Sequence, residues 1–170
     1  MVGRKLLAAL GVTVTAATAL VATAAPASAV VGYNKLFQNR NSGKCLEISY
    51  GSTANFARAG QYRCYGGPVE QWNYNTATGI MQNVNSGKCL EIQYSSTANF
   101  APAGQYDCHG GMNQKWYLLG NGSIVNQHSG KCLEVAWSST ADFAAVGQYD
   151  CHGGPNQKWW CPDPACTVAA

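Results

Sequence analysis

The sequence predicts an all-β domain assembled from three copies of one unit, and its internal repetition carries most of that prediction. The segment Asn41-Ser42-Gly43-Lys44-Cys45-Leu46-Glu47-Ile48 returns as Asn85-Ser86-Gly87-Lys88-Cys89-Leu90-Glu91-Ile92, and a third version runs from Ser129 through Gly130, Lys131, Cys132, Leu133 and Glu134 to Val135. Cys45, Cys89 and Cys132 are spaced by 44 and then 43 residues, and Trp72, Trp116 and Trp159 repeat the same two intervals. A second observation is local. Short apolar stretches such as Cys45 to Ile48 and Gly60 to Cys64 alternate with Ser, Thr, Asn and Gly clusters at the spacing of strands and turns. Thirdly, no window beyond the N-terminal segment carries a helical apolar stripe, so helix content is expected to be low.

Taken in chain order, the first element is an address. Arg4 and Lys5 precede an uncharged run from Leu6 to Ala25, followed by Pro26 and Ala27-Ser28-Ala29, the pattern of a secretory signal peptide cleaved after Ala29. Its many Thr and Ala residues make it too weakly apolar for a membrane anchor. The chain is therefore expected to be secreted and extracellular, without membrane association after cleavage. Of the 11 basic residues this removes two, leaving nine against 8 acidic, a balance that argues against a nucleic-acid partner. At 46% apolar and 11% aromatic content the chain has enough to bury a core.

Three units of this length form either a linear solenoid or a closed, threefold pseudo-symmetric body. Closure removes exposed strand edges and suits a count of three. The repeat loses one residue, expected between Ile124 and Gly130. The cysteines follow the same division: Cys45 and Cys64, Cys89 and Cys108, and Cys132 and Cys151 form one equally spaced pair per repeat, with Cys161 and Cys166 left at the C-terminus. Eight cysteines allow 105 pairings, and repetition selects the one within units. Each bridge closes a loop worth about 3 kcal/mol in the chain-entropy model. Zinc is a poor alternative, because Cys108-His109 and Cys151-His152 lack Cys-x-x-Cys knuckles. No metal or cofactor is expected.

Gly-Lys-Cys-Leu-Glu-Ile/Val, then Gln-Tyr-Asp-Cys-His-Gly-Gly, then Asn-Gln-Lys-Trp resembles the ricin-B-type lectin domain. The ending occurs as Gln114-Lys115-Trp116 and Gln157-Lys158-Trp159, with Glu70-Gln71-Trp72 as a near match. The resemblance covers about residues 33–160. It implies a β-trefoil, a barrel capped by hairpins around the repeated tryptophans, with one sugar pocket per repeat. The domain boundaries expected are 1–29 for the signal peptide, 30–160 for the trefoil (repeats about 33–76, 77–120 and 121–160) and 161–170 for a tail with a Cys161–Cys166 loop.

A sugar presents C–H groups on one face and hydroxyls at its edge, so a site wants an aromatic plate beside fixed polar groups, ideally including an acceptor-only carboxylate. Repeat two holds such a set in Glu91, Tyr106, His109, Asn113 and Gln114, and repeat three in Glu134, Tyr149, His152, Asn156 and Gln157. The resemblance implies that the glutamates grip hydroxyls, the tyrosines stack, the histidines and asparagines line the pocket, and the glutamines orient the carboxylates. His109 and His152 also suit a second role, capping a Gly-Gly turn. Repeat one keeps Glu47 and Tyr62 but has Tyr65 for His and Val69-Glu70 for Asn-Gln, so weaker binding is expected there.

Two features depart from the family. Glu stands where binding repeats usually carry Asp. Phe56, Phe100 and Phe143 stand where relatives commonly have Gly, so either the loop is rebuilt around a small apolar cluster or three aromatics extend the binding surface. No Gly-x-Ser-x-Gly elbow, His-Glu-x-x-His pair or phosphate loop is present, and polar residues in copies do not make one asymmetric catalytic constellation. The sequence thus points to a monomeric, non-enzymatic lectin for galactosides, xylan or another polysaccharide. The alternative is a trefoil scaffold that binds protein, such as a protease inhibitor.

Overall fold

The computed structural model describes residues 31–162. The expected signal peptide lies outside the described residues, as does Cys166 and with it the pairing expected for Cys161. Repeat one holds strands β1 (Val31–Lys35), β2 (Gln38–Asn39), β3 (Cys45–Ile48), β4 (Ala59–Tyr62) and β5 (Trp72–Asn75). Repeat two holds β6 (Ile80–Asn83), β7 (Cys89–Ile92), β8 (Ala103–Tyr106) and β9 (Trp116–Leu118). Repeat three holds β10 (Ile124–Asn126), β11 (Cys132–Val135), β12 (Val146–Tyr149) and β13 (Trp159–Trp160). Among the described residues there is no α-helix, only short 3-10 turns between strands.

The repeated Cys-Leu-Glu-Ile/Val segments are strands buried on both faces. Leu and Ile or Val point into the core, while Cys and Glu lie on the opposite side by strand alternation. Each pairs with the following strand in one register: Cys45 faces Tyr62, Cys89 faces Tyr106 and Cys132 faces Tyr149. That register brings the paired cysteines within reach, and bridges Cys45–Cys64, Cys89–Cys108 and Cys132–Cys151 form as the spacing predicts. The last strand of each unit pairs with the first of the next: β5 with β6, β9 with β10, and β13 back with β2. The return to β2 closes the ring and excludes the solenoid. The fold is a β-trefoil.

Its core is built around the repeated tryptophans. Trp72, Trp116 and Trp159 are buried among Leu46, Ile48, Leu90, Ile92, Leu133 and Val135. Each indole Nε1 donates to the carbonyl of its own repeat's buried leucine, at 3.1, 3.0 and 2.9 Å. Burying so large a ring without an orphan N–H requires such a partner. Polar staples then tie repeat to repeat. Gln105, fully buried in β8, donates from Nε2 to Ser52 O and Ala54 O of repeat one, and its Oε1 accepts from the Ser86 hydroxyl. Gln148 does the same to the repeat-two loop, and Gln61 to the repeat-three loop. Each inter-cysteine loop is therefore pinned onto the next repeat.

One expectation is corrected. Asn83 faces Trp72 and Asn126 faces Trp116, and each stands six residues before its cysteine. From Trp72 to Asn83 is 11 positions, from Trp116 to Asn126 only 10. The missing residue thus lies in the β9–β10 turn before Ile124, not between Ile124 and Gly130. A surface hairpin turn absorbs a deletion that the paired strands would not.

Candidate functional site

Strand alternation places Cys89, Glu91 and Tyr106 on one outer face of the β7–β8 hairpin, with Gly104 opposite Glu91. Glu91 Oε2 accepts from Asn113 Nδ2 at 3.2 Å and Gln114 Nε2 at 3.1 Å, with His109 Nε2 at 3.4 Å. His109 Nδ1 accepts the Gly111 N–H at 3.1 Å, which leaves the ring proton on Nε2, aimed at the carboxylate. The histidine thus both caps the Gly-Gly turn and steadies the glutamate. Gln114 sits behind them: its Oε1 accepts from the His109 and Gly110 amides, and Nε2 donates also to Asp107 O.

Repeat three duplicates this geometry. Glu134 Oε2 is met by Asn156 at 3.3 Å, Gln157 at 3.1 Å and His152 Nε2 at 3.4 Å, and His152 Nδ1 accepts from Gly154 N–H. In both repeats every bond ends on Oε2. Oε1 takes no such bond, and although the two glutamates are only 3% and 4% exposed, neither has a fully buried oxygen lacking a partner. The enlarged carboxylate is accommodated by this three-donor cradle. The arrangement is preorganised to bind hydroxyl protons.

Repeat one departs at the same positions. Glu70 replaces the orienting glutamine; its Oε2 accepts from the Tyr65 and Gly66 amides, but it has no amide to offer Glu47. Glu47 Oε1 and Glu70 Oε1 are buried without a partner. Burial first, then repulsion from Glu70 and Asp142, pushes Glu47 up to about 7. Arg63 lies 5.4 Å from the Tyr62 ring centre and donates to its hydroxyl, replacing the aspartate found in the other repeats.

The phenylalanine loops resolve the two alternatives in an unexpected way. Phe56, Phe100 and Phe143 adopt the left-handed conformation that glycine favours, at φ 64°, 65° and 60°, so the turn is retained rather than rebuilt. Each reaches the next repeat. Phe56 packs 4.8 Å from Tyr106, Phe100 4.7 Å from Tyr149 and Phe143 4.8 Å from Tyr62. On its other side each phenylalanine stacks on an aromatic absent from the sequence-derived set: Phe56 on Tyr94 at 5.2 Å, Phe100 on Trp137 at 4.6 Å and Phe143 on Tyr50 at 4.8 Å. Tyr50, Tyr94 and Trp137 are 83%, 78% and 80% exposed, and they too sit at positive φ. Bulky residues held there cost about 1–2 kcal/mol each. A large exposed ring in strained backbone is a pointer to binding rather than stability. The signal was in the sequence: an aromatic stands five residues after the first cysteine of every repeat.

Lys44, Lys88 and Lys131 are half-buried ion-pair partners: Lys88 meets Asp107, Lys131 meets Asp150 and Lys44 meets Asp142. Asn55 and Asn99 of the preceding loops donate to Asp107 and Asp150 as well. These asparagine bonds, then the lysines, hold both aspartates below the usual carboxylate range. Among the described residues no group of His, Cys, Asp or Glu is arranged to hold a metal.

Comparison with known proteins agrees with this architecture. The family described as the ricin-type beta-trefoil lectin domain matches residues 34–161. No curated protein matches significantly. Among solved structures, the designed threefold-symmetric protein ThreeFoil is 40% identical, with a TM-score of 0.72, covering 77% of this chain and 98% of its own. An exo-beta-1,3-galactanase from Clostridium thermocellum is 31% identical, with a TM-score of 0.68, over 76% of this chain and 30% of the enzyme. The hemolytic lectin CEL-III is 26% identical, with a TM-score of 0.63, over 75% of this chain and 29% of that lectin. With its closed threefold body, intra-repeat bridges and Gln-x-Trp endings, the chain belongs to the ricin-type β-trefoil lectin family of carbohydrate-binding domains.

Proposed function

We propose that this protein is a secreted, non-enzymatic lectin that binds a saccharide chain through the pockets of repeats two and three. The observation that carries the reading is the duplicated carboxylate: Glu91 and Glu134, each buried and steadied on one oxygen by Asn, Gln and His, each with the other oxygen free of protein donors near a half-buried tyrosine. Glu91 and Glu134 accept sugar hydroxyls, while Tyr106 and Tyr149, extended by Phe56 with Tyr94 and Phe100 with Trp137, offer ring faces to its C–H groups. His109, His152, Asn113 and Asn156 line the pockets, and Gln114 and Gln157 position the carboxylates. Repeat one contributes little, because Arg63 covers Tyr62 and Glu47 lacks its amide donor.

A single shallow site of this kind binds at about millimolar strength, and two on a rigid body gain through multivalency on a polymer. The test is affinity electrophoresis or column retention on galactan and xylan. Changing Tyr106→Ala together with Tyr149→Ala should abolish retention while circular dichroism stays unchanged. Unaltered retention, or retention that free sugar fails to compete, would overturn the assignment in favour of a protein-binding scaffold.

A further inference from the structure

The pockets of repeats two and three share their polar groups but not their floor. The residue after the pocket strand is Ser49 in repeat one, Gln93 in repeat two and Ala136 in repeat three. Gln93 folds back over Gly104, so that a Cβ built on that glycine would lie 2.4 Å from its Nε2, and it donates to Phe56 O at 2.9 Å. The Ser49 hydroxyl likewise covers Gly60, 2.6 Å from the corresponding Cβ position. Over Gly147 the three nearest atoms are all backbone, of Ala101 and Pro102. The space that Gln93 fills is open in repeat three. A cavity of about 180 Å³ lies there, bounded by Glu134, Ala136, Trp137, Phe100, Pro102 and Arg58.

From this asymmetry we infer that repeat three recognises an acetylated sugar ring, with Ala136 as the residue that admits the acetyl group. The inference rests on the carbohydrate-binding reading above and adds to it a ligand class and a selecting residue. Phe100, Trp137, Pro102 and Ala136 give the cavity largely apolar walls, which suit a methyl group and leave a sugar hydroxyl without partners. Arg58 supplies a donor at the lip for the acetyl carbonyl, and Glu134 Oε1 accepts a neighbouring ring hydroxyl. A bare sugar fills none of this space. In repeat two the Gln93 side chain excludes the same group.

The acetyl group occurs on nitrogen or on oxygen, and two probe pairs separate the sources: N-acetylgalactosamine against galactose, and acetylated xylooligosaccharides against the same preparation after alkaline deacetylation. Titration calorimetry on the mature chain should show one acetylated member binding about fourfold tighter than its parent, the ratio that burying a methyl gives. Ala136→Gln installs the residue that repeat two already carries in an equivalent frame; it should bring the ratio to about one while binding of the parent sugar persists. Gln93→Ala, read by amide chemical shifts around Tyr94, should add a second acetyl-responsive site, and it keeps the test alive if Ala136→Gln misfolds. Equal affinity within both pairs, or a preference that survives Ala136→Gln, overturns this inference but leaves the lectin reading standing. Absence of binding by all four probes and by polysaccharide overturns both.

Discussion

One amide separates a hydrogen-bonded carboxylate from a stranded one. In repeats two and three, Gln114 and Gln157 present Nε2 to a glutamate, whereas Glu70 in repeat one offers only oxygen. Two buried carboxyls then compete for one proton. Glu47 is raised from its ordinary 4.5 to about 7, so the folded chain keeps a proton that the unfolded chain releases in that interval. The contribution of this group to stability is accordingly full below about pH 4.5 and is lost as pH rises through about 7. Thermal melts should drop by roughly 5 °C across this range. Glu70→Gln restores the missing donor and should flatten the profile, with the largest gain at pH 8. An equally steep profile in that variant would show that the pair is not its source. The glutamines of Gln-x-Trp were legible in the sequence as orienting groups. The stranded pair was not, because a Gln-to-Glu change reads as mild until burial removes the solvent that would tolerate it.

At the level of elements, the strands and bridges were readable because their period of two and the repeated cysteine spacing both recur undistorted. The aromatic wall was not. Tyr50, Tyr94 and Trp137 sit in 3-10 turns at left-handed φ, a conformation that composition does not advertise, and their partners Phe56, Phe100 and Phe143 come from a different repeat. Comparison of the units shows that an aromatic recurs there, but neither its backbone conformation nor its partner. The placement predicts a separation of stability from binding. Trp137→Gly removes a side chain 80% exposed and relieves its backbone, so stability should hold or rise by about 1 kcal/mol while retention on polysaccharide falls. A matching loss of both would assign Trp137 a structural role. By contrast Trp116→Ala, in the core, should cost about 3–5 kcal/mol by chemical denaturation.

The whole molecule is a ring of handed-on contacts. Glu134→Ala alone leaves the repeat-two pocket, so binding to a monosaccharide should lose one site by calorimetric stoichiometry, whereas retention on a polymer should fall by far more than half because two-point attachment is gone. A proportional loss would mean that the pockets act independently. The closed ring was favoured by the count of three repeats, and the tryptophan core was expected from the family resemblance. The exception within the ring, a position near the axis occupied in turn by Ser49, Gln93 and Ala136, is visible only once the hairpins are assembled, since it lies between segments far apart in the chain.

Because Gln105 and Gln148 pin the preceding loop, and because Phe56 and Phe100 travel with it, no unit owns a whole recognition surface. A lesion at Phe100 belongs by position to the second copy yet strips a ring from beside Tyr149 of the third. Genotype and phenotype in this protein are offset by one unit, and an excised copy would regain a complete surface only by assembling with its own duplicates.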